Sequence, residues 1–204
     1  MSEVEGVIKF NLDFKNESIV GIDVLELSAW RNLLRELGLL GKISGRYGGL
    51  SYGNISQRHE FGFLISGTQT GKLEALSPGD FAFCETWDLA RNKVCAKGRV
   101  KPSSESLSHA SIYDAKSCIT CAFHVHSPDI WRNSAELGIA TTDSSITYGT
   151  PDMAREVQDL VLNMGSYGIF SMGGHEDGVF TYGRSLPEAG QLMIGELVRA
   201  RMLL

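Results

Sequence analysis

Residues 118–126 read Cys-Ile-Thr-Cys-Ala-Phe-His-Val-His, and this apolar stretch predicts a buried β-strand. Side chains at positions i and i+2 of a strand point to the same face, with Cα atoms roughly 6.5–7 Å apart. His124 and His126 therefore share one face, while Val125 packs on the other. Two neutral imidazoles on one face are suited to bind a divalent metal ion through nitrogen. The alternative is one surface histidine and one hydrogen-bonded core histidine.

A third histidine, His175, lies in a glycine-rich turn between two predicted strands, where residues 173–178 read GGHEDG. Glycines on both sides of the histidine indicate tight backbone geometry, and such a turn is suited to present a third metal ligand. A catalytic metal site keeps one position open for water or substrate. Glu176 and Asp177 are interpreted either as residues that orient His175 or as turn residues only.

A candidate anion site lies at residues 101–105, Lys-Pro-Ser-Ser-Glu, just before a predicted helix. The two serine hydroxyls and the free N–H groups of the first helical turn suit a phosphate or a carboxylate. Glu105 is a candidate acid/base only if it meets the metal site; otherwise it stabilises the helix N-terminus. Two further segments, 51–56 and 66–71, either hold an anion with backbone amides or form ordinary turns.

The rest of the chain predicts a mixed α/β fold in a single domain spanning residues 1–204. Helices are predicted at 22–40, 104–116, 151–164 and about 186–202, and a short one begins at Pro128. Strands are predicted at 50–59, 61–66, 80–86, 93–98, 118–126, 167–172 and 177–182. The alternating residues 1–20 predict a strand or an extended N-terminal arm. Because strands do not alternate strictly with helices, we expect a mostly antiparallel sheet with helices on its faces.

The composition is typical of a globular protein and excludes several functional classes. The 204 residues are 43% hydrophobic, which excludes a disordered chain. The net charge of −5 argues against nucleic-acid binding, and no apolar run is long enough to predict a membrane span. The acidic first residues do not resemble a signal peptide, so we expect a cytoplasmic protein with reduced cysteines. The 23 glycines cluster in the candidate loops, where backbone can approach a ligand closely.

Two further groups of residues have open interpretations. His109 lies four residues after Glu105 on the same helical face, where it either supports that carboxylate or packs in the core. Cys118 and Cys121 form a CxxC pair, but in a strand these positions face opposite ways. We therefore interpret them as core thiols and not as a redox or metal site.

Five short segments occur in the order found in one known family. They are GNIS (53–56), LISGT (64–68), PSSE (102–105), HVHS (124–127), and GGHEDG (173–178) followed by GRSLPEA (183–189). Together they resemble the class II aldolase/adducin amino-terminal domain family over residues 25–198. The resemblance implies a three-layer α/β/α sandwich with a central, mostly antiparallel sheet. It also implies a cyclic homotetramer with active sites between neighbouring subunits.

The same resemblance implies a role for particular residues. His124, His126 and His175 match the zinc ligands, for which Mn²⁺, Co²⁺ or Fe²⁺ are alternatives. Glu105 matches the acid/base carboxylate near the metal. The positions that hold the substrate phosphate are matched by Gly53, Asn54, Thr68, Ser103 and Ser104. Gln69 stands where the family's phosphate loop has a glycine, and the tyrosine that serves the aldolases as proton donor has no clear match between residues 140 and 150.

These residues predict a metal-dependent lyase that cleaves a small hydroxy-carbonyl compound or a sugar phosphate by a retro-aldol reaction. The divalent metal stabilises an enediolate as a Lewis acid, and Glu105 moves the proton on the nucleophilic fragment. An epimerase, a dehydratase or a decarboxylase at the same site is the first alternative. The second is a non-catalytic, adducin-like assembly module. Retention of all three histidines and Glu105 favours an enzyme, because a scaffold needs none of them.

Overall fold

The protein, described here by a computed structural model that covers residues 6–204, is built around one large sheet. The strands are β1 (Asn11–Asn16), β2 (Gly41–Lys42), β3 (Ser51–Tyr52), β4 (Asn54–His59), β5 (Gly62–Ser66), β6 (Phe81–Asp88), β7 (Lys93–Gly98), β8 (Cys121–His126), β9 (Ala140–Thr141), β10 (Gly168–Ser171) and β11 (Gly178–Gly183). Nine of them form the sheet, in the order β1-β7-β6-β5-β4-β8-β11-β10-β9, while β2 and β3 form a separate ribbon.

The pairing confirms the predicted mostly antiparallel sheet. Among the strands of residues 6–204, β1 pairs with β7 and β9 with β10 in parallel, and the other neighbours in the large sheet are antiparallel. The two parallel pairs lie at the two edges of the sheet. Strand β8, which carries His124 and His126, lies centrally between β4 and β11.

Helices cover both faces of the sheet. They are α1 (Leu25–Glu36), α2 (Ser106–Ala115), α3 (Pro128–Arg132), α4 (Ser134–Leu137), α5 (Pro151–Asn163) and α6 (Leu186–Arg201). One hydrophobic core receives buried side chains from α1, α3, α4 and α6, and a second core receives them from α2 and α5. These are the three layers that the family resemblance implies.

Alternation along β8 decides which layer the histidines face. Phe123 and Val125 belong to the core under α6, and Ala122 belongs to the core under α2 and α5. Because side chains of a strand alternate between faces, His124 and His126 point to the side of α2 and α5. The candidate metal ligands are thereby held at the end of a fully buried strand.

Several element boundaries differ from the sequence predictions. Helix α1 spans Leu25–Glu36 and not 22–40, because the backbone of Gly38 turns into the left-handed region and the chain then enters β2. Strand β8 begins at Cys121, so Cys118 lies before it and is exposed, contrary to the predicted core thiol. The predicted strand at the start of the chain is present as β1, although residues 1–5 lie outside the described part.

The hairpin β4–β5, the helix α5 with its Thr150 cap and the helix α6 agree with prediction within a few residues. The Oγ1 of Thr150 accepts a hydrogen bond from the N–H of Met153, at 3.2 Å. No helix within residues 6–204 is long and apolar enough to cross a membrane.

Candidate metal centre

The structure brings the three predicted ligands together. His124 and His126 lie at the end of β8, and His175 lies in the turn between β10 and β11. One ligand nitrogen from each ring can be chosen so that all lie within 4.8 Å of one another, and all three side chains are buried. Three imidazoles at this spacing could hold one divalent ion.

The turn that carries His175 depends on its glycines. A Cβ atom at Gly174 would lie 1.9 Å from the carbonyl oxygen of Ile146, and one at Gly173 would lie 2.2 Å from that of Thr142. The neighbouring loop therefore packs directly on the turn backbone. Inside the turn, the N–H of Gly178 donates to the carbonyl oxygen of His175 at 3.0 Å. The glycines thus allow the tight turn that the sequence predicts.

The electrostatics of the cluster favour neutral imidazoles. Burial lowers the pKa of His124 and of His126 well below the usual range, and the positive charges of neighbouring histidines lower both further. Neither ring nitrogen of His124 has a hydrogen-bond partner at normal distance and angle within residues 6–204. Neutral imidazole is the form that binds a metal ion, so the donor set fits a divalent cation.

Glu105 meets this cluster. Its Oε1 lies 4.0 Å from Nε2 of His175, and its side chain is buried. The hydroxyl of Ser108 donates to Glu105 Oε2 at 2.7 Å, which fixes the rotation of the carboxylate. A catalytic interpretation of Glu105 depends on its proximity to the histidines. The carboxylate does lie beside His175.

The five predicted substrate-binding residues line one small polar cavity. Gly53, Asn54, Thr68, Ser103 and Ser104 lie around it, together with Ser51, Gln69 and neighbouring loop residues. We call this cavity the polar cradle. Ser51 contributes a buried hydroxyl that has no hydrogen-bond partner within the described residues. Hydroxyl, amide and backbone groups therefore line the cradle.

Gln69 gives the cradle a feature of its own. Its backbone has φ +59°, in the left-handed region that favours glycine, so the structure explains why a glycine is expected there. Its side-chain Oε1 accepts a hydrogen bond from the N–H of Ser51 at 3.1 Å. That N–H is consequently not available to a ligand in this conformation.

Arg31 is a site residue that the sequence analysis missed. It is buried, and its guanidinium donates to the carbonyl oxygens of Thr70 and Gly71 at 3.0 and 3.2 Å and to that of Glu74 at 3.1 Å. It thereby fixes the loop behind the cradle and adds a positive charge there. In the sequence, Arg31 is one polar position in an amphipathic helix, and nothing marks it as different.

Two tyrosines beside the histidines were also missed as site residues. The ring centroids of Tyr47 and His126 lie 4.6 Å apart, as do those of Tyr148 and His175. The Tyr47 hydroxyl donates to Asp177 Oδ2 at 2.7 Å, and burial together with this bond raises the pKa of Tyr47. Asp177 thus contacts Tyr47 and Arg46 through its carboxylate.

Other histidines and cysteines lie apart from the centre. Among the described residues, the group that could hold a metal contains only the three histidines and neither Cys118 nor Cys121. The two ring nitrogens of His109 bond to Ser56 and Asn54, so the ring is directed away from the Glu105 carboxylate, and the hydrogen bond between the two residues joins backbone groups.

Comparisons with known proteins bear on the family and the fold. Residues 44–200 match the family model for the Class II Aldolase and Adducin N-terminal domain. L-fuculose-1-phosphate aldolase from Thermus thermophilus is similar in fold, with a TM-score of 0.64, 20% identity and coverage of 88% of this chain and 91% of that chain. A sugar-phosphate aldolase from Thermotoga maritima has a TM-score of 0.65 at 14% identity, with coverage of 88% and 92%. YgbL from Escherichia coli, a candidate aldolase/epimerase/decarboxylase, has a TM-score of 0.63 at 18% identity, with coverage of 88% and 86%. A comparison with curated proteins finds no significant match.

Proposed function

Since the chain belongs to the class II aldolase and adducin N-terminal domain family, we propose that it is a metal-dependent lyase. Its substrate is a small hydroxy-carbonyl compound or a sugar phosphate, and the reaction is retro-aldol cleavage of a carbon–carbon bond. One observation carries the proposal: three buried imidazoles with ligand nitrogens within 4.8 Å stand beside a buried carboxylate. A fold without a chemical role has no reason to bury four such groups together, because each loses hydration.

His124, His126 and His175 are the proposed ligands of the ion. Zn²⁺ suits three imidazoles, and Mn²⁺, Co²⁺ and Fe²⁺ are alternatives. When bound, the ion supplies a Lewis acid that stabilises negative charge on substrate oxygen. The chain contributes the geometry, since β8 holds two ligands and the GGHEDG turn holds the third.

Glu105 is the proposed acid/base. In cleavage the Glu105 carboxylate takes the hydroxyl proton of the fragment that becomes the aldehyde, and the electrons of the broken carbon–carbon bond remain on the nucleophilic fragment. The carboxylic acid so formed then gives that proton to the nucleophilic carbon. In the reverse direction the carboxylate removes the proton again. Ser108 holds Glu105 Oε2 and leaves Oε1 directed towards the histidines. Such a positioned acid/base contributes roughly 10²–10⁴-fold to a rate.

The polar cradle is proposed to hold the end of the substrate that does not react. Gly53, Asn54, Thr68, Ser103 and Ser104 offer hydrogen bonds to oxygen atoms, and Ser103 and Ser104 precede helix α2, whose N-terminus attracts negative charge. Because the cradle would hold the end of the substrate that does not react, it would restrict the substrate to one orientation and so lower the entropic part of the activation barrier.

The same residues suit an epimerase, a dehydratase or a decarboxylase, because each of these reactions also develops charge on oxygen beside a carbonyl. The similarity in fold to YgbL keeps this second interpretation open.

We also propose a homotetramer with sites between subunits. Exposed apolar side chains at Val198, Met202 and Leu204 support this, because association would cover them. Light scattering should give four times the chain mass, and a monomer at micromolar concentration would contradict it.

The deciding experiment uses protein purified without a histidine tag and loaded separately with each candidate ion. Ketose phosphates and non-phosphorylated hydroxy-keto acids are the substrates, and NMR identifies aldehyde, ketone, epimer or carbon dioxide. We expect cleavage by the loaded wild type and loss of turnover in His124→Ala. A protein that binds no divalent ion and turns over none of these compounds is an assembly module instead.

A further inference from the structure

A continuous row of buried polar side chains runs from helix α2 to the polar cradle. The Tyr113 hydroxyl lies 2.6 Å from Ser56 Oγ, and Ser56 Oγ lies 2.6 Å from His109 Nδ1. On the other side of the ring, His109 Nε2 lies 2.6 Å from Asn54 Oδ1. All four residues are buried, and Asn54 also lines the cradle. The row therefore ends at the proposed substrate site.

Secondary structure brings these groups into register. Asn54 and Ser56 are two residues apart in β4 and so share the face that looks towards α2. His109 and Tyr113 are four residues apart in α2 and so share one face of that helix. A strand pair and a helix pair thus interlock, and the His109 ring fits between the two strand residues.

The position of the protons in this row can be argued from hydrogen-bond accounting. Burial lowers the pKa of His109 to about 3, so the ring is neutral and carries one N–H. If that proton is on Nε2, it is donated to Asn54 Oδ1. Ser56 then donates to Nδ1 over 2.6 Å, and the Tyr113 hydroxyl donates to Ser56. Every short contact in the row then has one donor and one acceptor.

The opposite arrangement is less favourable. With the proton on Nδ1, the ring donates to Ser56 Oγ, and Nε2 and Asn54 Oδ1 then face each other as two acceptors 2.6 Å apart unless the amide rotates. Ser56 then donates either to the Tyr113 hydroxyl oxygen or to the carbonyl oxygen of Ala122, which lies 3.5 Å away. A hydroxyl prefers an acceptor at about 2.7 Å, so the bond to Ala122 is weak. A buried donor without a good acceptor carries a free-energy penalty.

We propose that His109 is a positioning residue that, as the Nε2–H tautomer, fixes the amide of Asn54 so that its NH₂ group faces the polar cradle as a donor to substrate oxygen. The functional part of this inference rests on the proposed function. The Asn54 oxygen is held by His109, while its nitrogen makes no hydrogen bond to the described residues. A rotated amide would present its oxygen to the cradle and repel a phosphate or carboxylate oxygen. His109 thereby determines that Asn54 presents a hydrogen-bond donor, and not an acceptor, to the cradle.

Nitrogen-15 NMR of the full chain, with Zn²⁺ bound and no substrate, tests the tautomer directly. We expect His109 to carry its proton on Nε2 in at least a tenfold excess over Nδ1, as a single well-made hydrogen bond can enforce. Ser56→Ala removes the donor to Nδ1 and should reduce that excess several-fold, while Tyr113→Phe should leave it in place. Ser111→Ala is the matched control, because Ser111 is buried in the same helix but bonds only to the carbonyl oxygen of Leu107.

The functional part is tested by titration calorimetry with inorganic phosphate and with glycolate. In the proteins that retain Asn54, the side-chain amide signals of that residue are followed as well. For whichever anion the wild type binds more tightly, His109→Leu should weaken binding about tenfold. The double variant with Asn54→Ala should be no weaker than Asn54→Ala alone. A predominant Nδ1–H tautomer, an Asn54 amide that neither anion perturbs, or additive losses in the double variant would overturn the inference. Absence of lyase turnover would refute the proposed function and leave the tautomer result standing.

Discussion

Oε1 of Glu105 and Nε2 of His175 lie 4.0 Å apart, although one residue precedes helix α2 and the other lies in the turn before β11. This distance lies within the range of an ion pair, so the carboxylate stands beside the imidazole. The proposed metal ligand and the proposed acid/base thus come from different elements that only the folded sheet brings together. Their separation leads to distinct predictions for the two groups.

Removing a ligand should remove the metal. We expect about one divalent ion per chain in the wild type and at least a tenfold loss of affinity in His124→Ala and His175→Ala, because two imidazoles bind an ion less tightly than three. Elemental analysis after dialysis measures the content. His59→Ala is the control, since His59 lies outside the cluster. A full content of metal ion in His175→Ala would show that His175 is not a metal ligand.

Glu105→Gln should separate metal binding from turnover. The amide keeps the shape of the side chain and cannot exchange a proton, so we expect the metal content to persist while kcat falls by roughly 10²–10⁴-fold. The exposed Glu136 in α4 supplies the control variant Glu136→Gln, which should keep full activity. Wild-type kcat in Glu105→Gln would assign the proton transfer to another group.

The metal-free protein should lose stability as the pH falls below about 6.5. Burial lowers the pKa of His109 to about 3 and the pKa values of His124 and His126 well below their usual range. The histidines of the unfolded chain therefore bind protons near pH 6.5, whereas the same histidines stay neutral in the folded chain. As the pH falls from about 6.5 towards the pKa in the folded state, each such histidine lowers the free energy of unfolding by roughly 1.4 kcal/mol per pH unit.

Urea unfolding in EDTA between pH 7.5 and 5 measures this loss. In His109→Gln, the slope of the unfolding free energy against pH should be smaller by the contribution of one histidine. Added Zn²⁺ should stabilise the protein more at pH 7.5 than at pH 5, because metal and protons compete for the same nitrogens. A slope that is the same in both proteins would contradict burial of a neutral His109.

Two glycine-to-alanine variants should have opposite effects. Gly174→Ala forces a Cβ to within 1.9 Å of the Ile146 carbonyl oxygen, so we expect a loss of about 1–3 kcal/mol and weaker metal binding. Gly195→Ala lies inside helix α6 with nothing within 4 Å of the new Cβ, so it should stabilise the protein by about 0.5–1 kcal/mol. Thermal unfolding and metal titration of both variants provide the comparison.

Gln69→Gly should shift the ligand preference of the polar cradle. The change removes the carbonyl oxygen that occupies the Ser51 N–H and frees that N–H for a ligand. We expect the ratio of kcat/KM for a phosphorylated substrate to that for its non-phosphorylated form to rise at least several-fold. Thr141→Gly is a control at an exposed position outside the cradle. An unchanged ratio in Gln69→Gly would remove Gln69 from the determinants of specificity.

The sequence by itself determined the parts of this protein that depend on local pattern. The shared face of His124 and His126 follows from their i, i+2 spacing in a strand. The helix α5 follows from its Thr150 cap and from the helical spacing of its apolar residues. The ordered short segments identified the family and hence the candidate ligands. Boundaries were less accurate, because the ends of α1 and β8 depend on where neighbouring elements pack.

Only the tertiary structure decided which distant residues share one site. No sequence pattern marks Arg31 behind the cradle or Tyr47 and Tyr148 beside the histidines, because their partners lie far along the chain. The sequence places His109 on one helical face, but its position between Asn54 and Ser56 depends on how α2 packs against β4. The spacing of residues in the sequence indicates which face of a helix or strand a residue occupies. The order of strands in the sheet and the packing of helices on it decide which other helix or strand that face contacts.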